Sequence, residues 1–269
     1  MAANAYLFIG DENMGGSNWA RILDDTDHED YTFHQTIKTQ ADVFTFDAAI
    51  WGVSPYDATT IGASNPGGNR QAFGAEASAS RAIADAVGAD IYMMKDTWDT
   101  SMLSHRTPVS VDSAWLPGGI YGFGHWPPFI LSTFQQAAQA HSTAAATGTV
   151  SFEAVFFAIG SNDATFWWQY FSTTWKAKLA SFIALVRGAF GNGTLPFIMP
   201  LVPGTGQVIE EINERLVEVV GPDGSVANTG VWGLQGVDQA YGKITDQGVI
   251  DLGTGLATCL DSGMTETNM

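Results

Sequence analysis

The chain has 269 residues, 45% of them hydrophobic and only 14% charged, and a formal net charge of −17 set by 28 acids against 11 Lys and Arg. That surplus of acid excludes a nucleic-acid backbone or an anionic membrane as partner, and the length fits one α/β domain spanning 1–269. A single cysteine, Cys259, excludes an internal disulfide, and no run reaches the ~20 apolar residues of a membrane-spanning helix.

In chain order, Tyr6-Leu7-Phe8-Ile9 has the pattern of a buried parallel strand ending at Gly10, and Asp11-Glu12-Asn13-Met14 fits a tight turn feeding a helix. The residues before Tyr6 carry no basic n-region and the apolar run is too short for a signal peptide, so synthesis in the cytoplasm without a leader is expected. Residues 24–42 are expected to be an acidic, irregular stretch. His28 and His34 lie there among Asp27, Glu29 and Asp30, but no His-x-x-x-His or paired-Cys spacing accompanies them, so the expectation is a solvated loop, with no metal and no cofactor.

A strand is predicted over 43–51 and a Pro, Gly and Ser loop over 52–69. An alanine-rich helix follows over 73–87, stopping near Gly88. The next strand, near 90–95, runs into Lys95-Asp96-Thr97-Trp98-Asp99-Thr100-Ser101. Residues 102–128 form a long aromatic loop, a second alanine-rich helix spans 129–146, and Val155-Phe156-Phe157-Ala158-Ile159 is a continuous apolar strand leading into Gly160-Ser161-Asn162-Asp163. Trp167 and Trp168 are adjacent and cannot both face one neighbour, which makes Trp167 a candidate cleft wall. Leu179, Phe182, Ile183 and Val186 recur at helical spacing within 175–190, a last core strand is expected over 195–202, and an amphipathic helix over 208–220 is closed by Gly221-Pro222. Only a short helix, near 251–260, is expected beyond.

Gly10-Asp11-Glu12-Asn13-Met14 resembles the first block of the SGNH hydrolases, most closely the sialate O-acetylesterase-like branch, in which an apolar strand runs into Gly-Gln-Ser-Asn-Met. Phe73-Gly74-Ala75-Glu76 is similar to the Phe-Gly-Pro-Glu helix start of that branch, and Leu195-Pro196-Phe197 to its Leu-Pro-Phe strand. Gly160-Ser161-Asn162-Asp163 matches the Gly-x-Asn-Asp block, whose asparagine amide donates to the oxyanion. The resemblance implies a flavodoxin-like three-layer α/β sandwich with five parallel strands, near 5–10, 43–51, 90–95, 152–159 and 195–202, and helices on both faces. It fades over 221–269.

The same line-up locates the departures. The nucleophilic serine falls on Glu12, the Gly-Gly-Thr-Ser turn on Trp98, Asp99 and Thr100, and the Asp-x-x-His on Asp238-Gln239-Ala240-Tyr241, with tyrosine in place of the base. All five histidines lie at or before His141. Acyl transfer needs an activated nucleophile, a base and an oxyanion site, so the expectation is a non-catalytic module. Its cleft would be lined by Asp11, Glu12, Asn13, Trp98, Asp99, Ser161, Asn162, Asp163 and Trp167, with Glu12, Asn162 and Tyr241 as vestigial catalytic positions. Glu12 would sit ionised in the old oxyanion hole, held by helix-end amides.

Two hydrolytic alternatives stay open: Ser17 as nucleophile in a shifted Gly15-Gly16-Ser17-Asn18 register, and Asp11, Glu12 and Asp163 as a carboxylate set for glycosidic bonds. For the non-catalytic reading the expected partners are other protein subunits of a larger assembly and a surface glycan, with neither nucleic acid nor membrane insertion. A bacteriophage virion component (tail, fibre or capsid decoration) is the setting expected by analogy of fold.

Overall fold

The structure is a computed structural model that describes residues 3–11, 14, 22–47, 52–58, 73–97, 103, 136, 138–141, 149–164, 173–237, 239–240 and 243–265. Within these, the chain forms an α/β sandwich around a seven-stranded sheet. The strands are β1 (Ala3–Gly10), β2 (Thr39–Asp47), β3 (Gly52–Asp57), β4 (Ile91–Thr97), β5 (Val150–Ala158), β6 (Phe197–Pro200) and β7 (Thr229–Trp232). Their spatial order is β3-β2-β4-β1-β5-β6-β7, and every pairing is parallel except β2 with β3. A separate antiparallel pair joins β8 (Gln239–Ala240) to β9 (Lys243–Ile244). The helices are α1 (Tyr31–Lys38), α2 (Glu76–Val87), α3 (Trp175–Phe190), α4 (Gln207–Val217) and α5 (Asp246–Asp261).

Alternation along β1 decides which side chain meets which layer. Leu7 and Ile9 join a core with Leu179, Phe182, Ile183 and Val186 of α3 and Ile212 and Leu216 of α4. Tyr6 and Phe8 join the opposite core with Ile37 of α1, Ala77, Ile83 and Ala84 of α2 and Val249, Leu252 and Leu256 of α5. The apolar run of β1 therefore reflects burial on both faces, as parallel strands require. Phe8 stacks on Phe156 of the neighbouring strand, ring centroids 4.7 Å apart and planes 12° apart, which fastens β1 to β5 on that side.

The sheet has seven strands where five were expected, and each addition has a physical reason. β3 lies in the stretch expected as loop; it carries Pro55, which an edge strand tolerates because its outer side needs no ladder donor. β7 is only four residues long, Thr-Gly-Val-Trp, too short to show a period of its own. The expected neighbour of β1 also changes: β2 lies outside β4, and β4 takes the place beside β1. The flavodoxin order is kept by β4-β1-β5-β6-β7, which in chain order reads 2-1-3-4-5.

Part of the expected irregular stretch 24–42 is instead helix α1 followed directly by β2. Helix α3 spans the predicted residues, and α2 stops at Gly88, whose φ of 65° closes the helix in the left-handed region. Helix α5 runs sixteen residues, far longer than expected, opened by Thr245, whose hydroxyl accepts from the Gly248 N–H at 3.1 Å. Its glycines lower helix propensity but permit contact: a Cβ on Gly253 would lie 2.1 Å from the Ala75 carbonyl oxygen, and one on Gly255 would lie 2.0 Å from the Trp232 indole nitrogen. Close packing of α5 on α2 and β7 overrides the local preference. No helix among the described residues is long and apolar enough to cross a membrane.

Gly10, with φ 141°, ends β1 so close to β5 that a Cβ there would lie 1.9 Å from the Ala158 carbonyl oxygen. Gly88 also has positive φ but open space around it. Gly10→Ala is therefore expected to cost on the order of 3–5 kcal/mol and Gly88→Ala about 1 kcal/mol in urea unfolding. Equal losses for the two would show that the β1–β5 approach is not tight.

Candidate functional site

In an open parallel sheet the ligand crevice lies beyond the carboxyl ends of the strands, where successive connections leave in opposite directions. Here that point is between β1 and β5. From β1 the chain proceeds to β2 on one side, and from β5 it proceeds to β6 on the other. The two strands end level, Gly10 opposite Ala158, and the Asp11 N–H donates to the Ala158 carbonyl at 2.8 Å. Gly160, φ 127°, then turns the chain after β5; a Cβ there would lie 2.7 Å from Val202 Cγ2. Residues 161–164 begin a helical turn closed by the Ala164 N–H donating to the Gly160 carbonyl at 2.8 Å. Asp11, Ser161, Asn162 and Asp163 thus stand at one edge of the sheet.

These groups are more deeply set than turn residues usually are. Asp11 is fully buried, Asn162 and Asp163 are buried, and Ser161 is half-buried. Asp163 accepts from the Leu103 N–H through both carboxyl oxygens, at 3.0 and 3.3 Å. Burial pushes its carboxyl up to about 7; the Leu103 amide, the Trp175 indole and the charge of Lys178 pull the other way without offsetting it. Lys178 is itself lowered by burial, and the nearby Asp163 carboxyl opposes that shift. A carboxyl that burial raises this far can exchange its proton near neutrality.

Glu12, Asn13, Trp98, Asp99, Trp167 and Tyr241 lie outside the described residues, as does Ser17. The geometry therefore brings together Asp11, Ser161, Asn162 and Asp163 of the expected cleft.

Beneath the crevice, on the face covered by α1, α2 and α5, lies a buried polar cluster that the sequence reading passed over. Lys95 of β4 pairs with Glu76 of α2 at 3.1 Å, both side chains almost fully enclosed. The same Glu76 oxygen accepts from the Gly74 N–H at 2.9 Å and the Tyr56 hydroxyl at 3.3 Å. Burial holds the Lys95 ammonium below its ordinary range while Glu76 opposes that shift, and burial together with the Glu76 charge raises Tyr56 well above 10. A lysine closing the otherwise apolar run Ile91-Tyr92-Met93-Met94 in so lysine-poor a chain was the available signal. The pair ties the start of α2 to β4 two residues below the crevice edge, since Lys95 is level with Phe8 and Thr97 with Gly10.

No family model and no curated protein sequence matches the chain. Among solved structures it is similar over 98% of its length to the whole of a protein from Arabidopsis thaliana, with a TM-score of 0.69 and 12% identity. It is also similar over 97% of its length to a carbohydrate acetylesterase from Xanthomonas citri, with a TM-score of 0.59 and 15% identity; the likeness spans 56% of that enzyme. These likenesses establish the fold alone, an α/β sandwich around a mostly parallel sheet of flavodoxin-like order.

Two outcomes test the electrostatics. Because the folded pKa of Asp163 is raised above its unfolded 3.8 to about 7, its contribution to stability is present below the unfolded value and is lost as pH rises through the folded one. Asp163→Asn should therefore flatten the fall in stability between pH 4 and 8, measured by urea unfolding; an unchanged pH profile would contradict the assignment. Lys95→Met leaves a carboxylate buried without its cation and should cost on the order of 3–5 kcal/mol at pH 7. A loss under about 1 kcal/mol would show that Glu76 is stabilised by its other donors alone.

Proposed function

We propose that the chain is a hydrolase acting on acetylated carbohydrate through a rearranged site at the β1–β5 crevice. The observation that carries the reading is geometric: Asp11 follows β1 and Asn162 and Asp163 follow β5 where the two strands end level, and burial there pushes the Asp163 carboxyl up to about 7. The likeness in fold to a carbohydrate acetylesterase supports the substrate class. In this reading a water molecule takes the part that serine plays in the resembled branch. A carboxylate, Asp11, Asp163 or the sequence-adjacent Glu12, accepts its proton as it attacks the acetyl carbonyl, and the Asn162 amide donates to the oxyanion that forms. Collapse releases acetate and returns the proton to the sugar hydroxyl. The same carboxylates suit glycosidic hydrolysis, and the products separate the two: free acetate from an ester, a new reducing end from a glycoside.

A second reading is favoured by the sequence itself. Glu12 stands where the resembled branch has serine, Tyr241 where it has histidine, and no histidine follows His141. In that reading the crevice binds a glycan without turning it over, and the module is a structural or glycan-contacting part of a larger assembly such as a bacteriophage virion.

Acetate release from acetylated xylo-oligosaccharides and aryl acetates decides between them. For the hydrolase, kcat/KM should rise with pH through about 7, Asp163→Asn should remove that inflection, and Asn162→Ala should lower kcat about 10²- to 10³-fold. A fluorophosphonate probe should leave the protein unlabelled because no serine is activated. Binding of the oligosaccharides without any release of acetate or of a reducing end would establish the second reading, and covalent labelling at Ser17 would replace both with a serine esterase.

A further inference from the structure

Away from the crevice, the turn that joins the 3-10 helix Ile22–Asp24 to α1 brings two imidazoles and a carboxylate together. His28, Asp30 and His34 each offer one ligating atom, and these atoms all lie within 4.8 Å of one another. The two rings stand 4.6 Å apart and are inclined at 40°. His34, in the first turn of α1, is fully buried, whereas His28 is half-buried and Asp30 is exposed. One ligand is thus anchored in the core, and the other two sit on a turn that opens to solvent.

Hydrogen bonding fixes what each ring presents. The His34 Nδ1 lies 3.0 Å from the Ile22 carbonyl, an acceptor only, so this nitrogen donates and the lone pair of the neutral ring is on Nε2. That lone pair faces the Gln247 side-chain oxygen of α5 at 3.2 Å. The orientation of the Gln247 amide is set by its nitrogen, which donates to Asp251 Oδ1 at 2.9 Å. Two acceptors therefore point at one another inside the fold. A metal ion between them would satisfy both lone pairs.

We infer that His34, His28 and Asp30, with the side-chain oxygen of Gln247, form a binding site for a divalent first-row transition metal of the zinc class. The 3.2 Å separation of His34 Nε2 and Gln247 Oε1 is that of adjacent ligands on a metal with bonds of about 2.1 Å, which stand roughly 3.0–3.5 Å apart. A ligating imidazole whose other nitrogen donates to a backbone carbonyl is the arrangement that fixes ring and tautomer around such ions. His28 Nδ1 presently accepts from the Asp30 N–H at 3.1 Å, an exposed bond that water can replace when the lone pair turns to a metal. The remaining contraction, from within 4.8 Å to ligand separations of roughly 3.0–3.5 Å, falls on residues 25–30, a turn in which the His28 N–H donates to the Asp25 carbonyl and the Tyr31 N–H to the His28 carbonyl. Two imidazoles favour zinc, nickel or copper over calcium and magnesium, which prefer oxygen throughout. Exposed Asp24, Asp25, Asp27 and Glu29 around the turn add a negative field that gathers cations. No spacing motif announces the site because Gln247 comes from 213 residues further along the chain than His34.

The ion would clamp the 22–30 turn and α1 onto α5. Titration of the chelator-stripped protein with Zn²⁺, followed by calorimetry and thermal melting, should show one ion bound per chain and a higher Tm, because the ion binds only the folded form. His28→Ala, on the solvent side, should leave the metal-free Tm unchanged and weaken Zn²⁺ binding about tenfold or more, with Asp30→Asn and Gln247→Ala also weakening it. Mg²⁺ at the same concentration should give no rise in Tm. Absence of stoichiometric Zn²⁺ binding would overturn the inference. So would binding undiminished in both His28→Ala and Asp30→Asn, or a Mg²⁺ response equal to that of Zn²⁺.

Discussion

The close parallel pairing of β1 with β5 is the constraint on which the rest of this molecule depends. It sets the Phe8–Phe156 stack on one face and the Ile9 and Phe157 contacts with the α3 core on the other. It also brings the turns after the two strands to a common edge, because Gly10 and Ala158 finish level. Each turn starts with a glycine that cannot carry a side chain: at Gly10 the partner strand fills the space, at Gly160 Val202 does. The placement of Asp11, Ser161, Asn162 and Asp163 at one end of the sheet is therefore a consequence of how near two backbones approach.

Around this axis the protein solves a polar problem in two different ways. Asp163 is buried with backbone and indole groups as neighbours, and its carboxyl is driven toward neutrality. Glu76 is buried with a lysine, an amide and a phenol, so its charge has a partner of opposite sign. The two sites differ in whether a cation is enclosed with the carboxyl. A group left to titrate near pH 7 is useful to chemistry, whereas a neutralised pair is useful to architecture, and the two kinds stand on opposite sides of the same sheet edge.

Helix α5 illustrates a third balance. Its glycines at 248, 253 and 255 weaken it as an isolated helix, yet Gly253 and Gly255 let it lie against the Ala75 carbonyl and the Trp232 ring. The helix then buries Val249, Ile250, Leu252 and Leu256, which close the core on the face that also holds His34 and Gln247. Arg187 does comparable work at the opposite end of the sheet, donating to the carbonyls of Leu195, Ala227 and Asn228 and so fixing the entries to β6 and β7.

The sequence by itself determined the layers of this fold and the two glycine-led turns that follow β1 and β5. Continuous apolar runs at Tyr6–Ile9 and Val155–Ile159, each ending in glycine, are legible because strands buried on both faces leave no room for polar residues. The amphipathic spacing of α3 is legible because its four apolar positions face one core. What the tertiary structure alone decided is whatever depends on residues far apart in the chain. The place of β4 beside β1, the Pro-bearing edge strand β3 and the four-residue β7 are fixed by neighbours rather than by their own patterns. The full length of α5 follows from close packing that local propensity opposes. The Asp163–Leu103 contact, the Glu76–Lys95 pair and the meeting of His34 with Gln247 are likewise invisible to spacing, since burial and partner, not residue type, give those side chains their chemistry.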